Sequence, residues 1–129
     1  MNVRSAHVEP VIEHGGTVRS YFMIAKDEMR AATLGSFLEF VCEFEVAAGM
    51  RLDPHYHDTL EFYYILSGNG VMQIEGDSLR VKPGDLVEIP RKAVHSIRSA
   101  ISGQPIRGLA FAVSFQEEGA QFVTAPLPE

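Results

Sequence analysis

The stretch "DPHYHDTLEFYYILSG", Asp53–Gly68, decides how this chain is read. His55 and His57 lie two positions apart, and Glu61 follows four residues after the second. On a helix, side chains two apart point about 200° from each other, whereas on a strand they share a face. Pro54 disfavours helical backbone at the residue before it. The histidine pair is therefore placed on a strand. Glu61 has the same parity, yet along one straight strand it would lie about 13 Å from His57. Donors to one ion must each come within about 2.0–2.2 Å of it. If these side chains share an ion, the chain should bend at Asp58-Thr59-Leu60, which a polar Asp-Thr pair allows. The histidines would then end one strand and Glu61 would begin the next. Two imidazoles and a carboxylate suit non-haem iron, manganese, nickel or zinc. A fourth ligand has to come from elsewhere. Of His7, His14 and His95, only His95 lies in a regular part of the chain, in "IPRKAVHSIRS" after a proline-closed apolar strand.

Outward from this stretch, the punctuation is that of an all-β protein. The chain has 129 residues, enough for one domain with a core, and its 11 glycines and 7 prolines mostly separate short apolar runs. "GGTVRSYFMI" (Gly15–Ile24) reads as a turn and a strand, and "AKDEMRAATLGS" (Ala25–Ser36) as a short helix with an acidic start, closed by Gly35. In "FLEFVCEFEVAAG" (Phe37–Gly49) one parity carries Leu38, Phe40, Cys42, Phe44 and Val46, an apolar strand face. "LEFYYILSGNG", "VMQIEGDSLRV" with a turn at Glu75-Gly76-Asp77, "KPGDLVEIP", "HSIRSAI" and "IRGLAFAVSF" follow as strands and turns. In the last of these, Arg107, Leu109, Phe111, Val113 and Phe115 share a face, with small residues between them. Phe111 and Phe115, with Met72 and Ile65, are candidates for a cavity lining or, more simply, for the core. Gln73 and Arg107 reach a pocket only if their parity faces inward. Strands with turns every eight to twelve residues predict a sandwich or barrel.

The net charge is −6, from 17 acidic and 11 basic residues, so a phosphate backbone is a poor partner. The closest basic pair, Arg91-Lys92, reads as a solvated turn. The single cysteine, Cys42, lies among Glu39, Glu43 and Glu45 with no cation to stabilise a thiolate, so it is read as a small buried hydrophobe. "MNVRSAHVEPVIEHGG" has no apolar signal core, and no apolar run approaches spanning length. A cytoplasmic protein without membrane contact is the expectation.

The run Gly49-x5-His55-x-His57-x3-Glu61-x6-Gly68 matches, at every position, the first motif of the cupin superfamily, which the chain resembles. The second motif is approached by Gly84, Pro90 and His95, with Lys92 where glycine is usual and Ser99 where asparagine is usual. Lysine takes positive φ less easily than glycine, so the turn after Pro90 is expected to differ from the family's. Ser99 keeps a hydroxyl for a local backbone bond. The resemblance implies a small single-domain cupin of the conserved-barrel type spanning residues 1–129, a double-stranded β-helix or jelly-roll. It implies a divalent transition metal (iron, manganese, nickel or zinc) held by His55, His57, Glu61 and His95. It also implies a homodimer, with residues 8–24 as the candidate interface; the tail, 116–129, is expected to be irregular, with Phe122 and Val123 anchoring it. Such a site leaves coordination positions open for a small polar or anionic organic molecule, in dioxygenase- or lyase-type chemistry. The other functions the resemblance allows are a non-catalytic binding or sensory barrel and a sugar isomerase or epimerase. Tyr63, two residues after Glu61, shares its face, as in some cupin lyases that cleave sulfonium carboxylates. Its phenol either acts as acid or base beside the ion or fills the barrel with its hydroxyl bonded to a neighbour.

Overall fold

The computed structural model describes residues 1, 3–33, 37–115 and 124–126. Two antiparallel sheets face each other as a jelly-roll barrel. One sheet runs β1 (Val11–Glu13), β2 (Val18–Ile24), β3 (Leu38–Val46), β10 (Ile106–Ser114), β5 (Thr59–Ser67), β8 (Leu86–Ile89). The other runs β11 (Thr124–Pro126), β4 (Arg51–His57), β9 (His95–Ser99), β6 (Gly70–Ile74), β7 (Asp77–Val81). The strand β11, paired with β4, lies within the tail that was expected to be irregular. Phe122, Val123 and Gly35 fall outside the described residues. No helix among the described residues is long and apolar enough to cross a membrane.

The alternation read on β3 is the one observed, with Phe40, Cys42, Phe44 and Val46 buried. They close a core with Ile65, Ile89, Ile97 and Ile106, each fully buried and each stabilising by about 1.5–3 kcal/mol. Glu39 is a surprise, 1% exposed on the apolar strand. The helix α1 (Lys26–Thr33) explains it: Lys26 and Arg30 each bring a nitrogen 3.2 Å from the Glu39 carboxylate, which ties the helix to β3.

β10 is oriented by its small residues. Gly108, Ala110 and Ala112 face the interior, while Arg107, Leu109, Phe111 and Val113 face out, half-buried. The interior is already filled there: a Cβ on Gly108 would stand 2.6 Å from the Phe44 ring. Of the four apolar candidates, Ile65 and Met72 are core residues. Phe111 instead stacks on Phe62 outside the sheet, and Phe115 lies under the Arg91 guanidinium, 4.5 Å away. Arg107 ion-pairs Glu43 and Glu45 on the outer face, and Gln73 is exposed, so neither enters the barrel.

The two motif segments are fastened to each other. Arg91 is no free turn residue: its Nε donates to Oδ1 of Asp58, at the bend between β4 and β5, over 2.5 Å. Lys92 adopts φ 61°, so the left-handed turn is kept without glycine, and its N–H donates to the His57 carbonyl at 2.8 Å. The expected departure of that turn is therefore not found. That bond from turn to strand offsets the strain a lysine carries there. The Ser99 hydroxyl bonds the carbonyls of Ile101 and Gln104, which holds the following turn.

Candidate metal centre

The bend falls at Asp58, where the chain leaves one sheet for the other. His55 and His57 thus project into the barrel from β4, and Glu61 from β5. Antiparallel register does the rest: His95 on β9 is the direct partner of His55, and their rings lie 4.3 Å apart. Candidate ligand atoms of His55, His57 and His95 all lie within 4.8 Å of one another, and all three residues are buried. Glu61 approaches from the facing sheet, 3.6 Å from His57 Nε2 and 3.3 Å from His95 Nε2.

The ring orientations are set from behind. His55 Nδ1 lies 2.7 Å from the Asp53 carbonyl and His95 Nδ1 lies 2.9 Å from the Ala93 carbonyl. A carbonyl only accepts, so each Nδ1 carries a proton and each ring turns its Nε2 inward. Facing the carboxylate, His95 Nε2 and Glu61 Oε1 are both buried, and neither has a hydrogen-bond partner of acceptable geometry among the described residues. A ring nitrogen and a carboxylate oxygen 3.3 Å apart and away from water call for a proton or a metal ion between them. A divalent metal fits that requirement and this donor set, so the three histidines could hold one.

Electrostatics point the same way. Burial, reinforced by His95, pushes the His55 imidazole down to about 3, so it stays neutral and ready to ligate. Burial works to raise Glu61, but the imidazoles of His95, His57 and His55 outweigh it and hold the carboxyl below its ordinary range. Tyr63 is buried, its ring 6.0 Å from that of His95 and packed on Phe44. Burial, then the charge and hydrogen bond of Glu61, raise its phenol well above the usual value. It therefore stays protonated beside the Glu61 charge. Cys42 is buried and its thiol is pushed far up, as befits an inert core residue.

A cavity of about 670 Å³ opens onto His55, His57, Glu61 and Tyr63. Its other walls include Phe22, Phe40, Phe44 and Leu52, with Lys26 and Arg30 of α1 also lining it. Glu13 and His14 line it too; His14 was set aside above for lying in no regular segment, and Glu13 was not among the candidates. They lie in no long apolar run. The only available signal was Gly15-Gly16, a turn that sends β1 back along β2 and so returns its end to the barrel.

A jelly-roll barrel with an inward cluster of imidazoles defines a class of small-molecule-binding β proteins. The cupin domain family model matches residues 42–111, and the chain belongs to the cupin superfamily. It is 36% identical over 67 residues to quercetin 2,3-dioxygenase of Bacillus subtilis, 51% of this chain and 19% of that enzyme. It is 35% identical over 71 residues to dimethylsulfoniopropionate lyase of Ruegeria pomeroyi, 55% of this chain and 43% of the lyase. The chain thus spans less than half the length of either enzyme. In structure it resembles a Thermotoga maritima protein described as a predicted oxalate decarboxylase, with TM-score 0.76 and 24% identity over 89% of this chain and all of that one.

Proposed function

We propose that this cupin is a metal-dependent enzyme that acts on a small polar or anionic organic molecule by dioxygenase- or lyase-type chemistry. The observation that carries it is the buried meeting of His55, His57 and His95 with Glu61, whose carboxylate lies within 3.6 Å of two ring nitrogens. His55, His57, His95 and Glu61 would hold the ion. When bound, it supplies Lewis acidity toward a carbonyl or enolate oxygen. The similarity to a quercetin dioxygenase and to a dimethylsulfoniopropionate lyase supports the two reaction types. Residues of this chain do the rest. The apolar walls exclude water, and Glu61 both balances cationic charge and keeps Tyr63 protonated. Tyr63 is the residue placed to hand a proton to a substrate atom beside Glu61. A homodimer is part of the proposal, since β1 is an edge strand carrying Val11 and Ile12, both exposed.

The test is a turnover screen of metal-loaded protein against small carboxylates, enols and sulfonium carboxylates, with Tyr63→Phe alongside. The variant is expected to keep its metal and lose turnover at least about a hundredfold, the scale of general acid–base catalysis. Tight binding without conversion by the wild type would sink the enzymatic reading. Full turnover by the variant would assign Tyr63 to packing alone.

A further inference from the structure

Glu13 and His14 lie outside both cupin motifs, yet their backbone is fixed at the histidine cluster. His14 adopts φ 51°, a left-handed conformation few non-glycine residues take, and Gly15 and Gly16 follow at 67° and 95°. Thr17 pins the turn, its N–H and its hydroxyl both donating to the His14 carbonyl, at 3.3 and 2.9 Å. The turn lays the His14 ring 4.8 Å from that of His55, tilted by 50°. His14 is outside the tight group of three histidines, so it borders the site without joining the ligand set. On the other side of the turn, Glu13 pairs across to Val18. Both residues line the cavity. An unusual backbone conformation, held by specific bonds at a pocket, is where functional side chains are commonly found.

We propose that Glu13 and His14 form a ligand-recognition edge, contacting a polar group of the same molecule whose oxygen the ion would hold. This rests on the metal reading above and goes beyond it by naming the ligand's shape. With Phe22, Phe40, Phe44 and Leu52 on the same cavity, the ligand has one polar edge and one apolar face. A hydroxyl on that edge donates to the Glu13 carboxylate and accepts from the N–H of the His14 imidazole. A hydroxylated aromatic carboxylate is the simplest such molecule. A polar group placed to bond a ligand hydroxyl discriminates against the analogue lacking it, because the site's own groups are then left unpaired.

The experiment compares 3-hydroxybenzoate with benzoate, which share a carboxylate and an apolar face and differ only in the hydroxyl. Nickel-loaded wild type, His14→Ala and Glu13→Ala are each titrated calorimetrically after their metal content is measured. The wild type is expected to prefer 3-hydroxybenzoate about tenfold, the effect of one net hydrogen bond. Each variant should keep its metal and its benzoate affinity and lose that preference. Equal weakening of both probes, an unchanged preference, or loss of metal from His14→Ala would overturn the inference. A wild type that binds metal but shows no preference defeats the inference alone. One that takes up no metal defeats the proposed function, and the inference with it.

Discussion

Replacing His57 with alanine is expected to lower metal affinity at least about a hundredfold while leaving the barrel folded. Groups that only support a ligand from behind cost 10–100-fold when removed, so a ligand itself must cost at least the upper end. His57 is one of the three buried histidines, and its Nε2 stands 3.6 Å from Glu61. Without it, His55 and His95 remain with Glu61, one donor short of the proposed set. Equilibrium dialysis against nickel and zinc, with elemental analysis, reads the loss, and circular dichroism checks the fold. His7→Ala, a change at a histidine away from the cluster, should behave as the wild type. Unchanged affinity in the His57 variant would exclude the assigned site.

Changing Gly68 to alanine is expected to destabilise the barrel by about 3 kcal/mol or more, since it combines backbone strain with overpacking. Gly68 sits at φ 82°, and an added Cβ would lie 2.3 Å from the Pro105 carbonyl oxygen and 2.9 Å from Ile106 Cα. Those are backbone atoms, with no flexible side chain to give way. Gly49 at φ 73° makes the useful contrast, because a Cβ there meets open space. Gly49→Ala should cost only about 1 kcal/mol, the left-handed strain by itself. Urea denaturation midpoints at constant slope separate the two. Equal costs would mean that the close approach to Pro105 is not what places glycine at 68.

The sequence made the heart of the site legible because strand parity is a hard constraint. His55 and His57 must share a face, and the distance to Glu61 then demands the bend that the structure has at Asp58. The motif match added His95, which antiparallel pairing sets directly across from His55. What stayed hidden depends on which of two faces is already occupied. β10 alternates large and small, and the large side looked like core. Phe44 crowds the inside, so the small side faces in. Lys92 was expected to disturb its turn, but its N–H bond to the His57 carbonyl on β4 holds it in glycine's conformation. Glu39 on an apolar strand and Arg91 in a turn gain their partners from α1 and from Asp58, contacts that no local pattern encodes. His14 reaches the cavity through a left-handed turn, and neither of the two regular periods describes a turn.

The most direct measurement is anomalous X-ray diffraction from crystals of the wild type incubated with iron, manganese, nickel or zinc. An anomalous peak between His55, His57, His95 and Glu61, at one ion per chain, is the predicted result. A peak elsewhere, or none with any of the four metals, would contradict it.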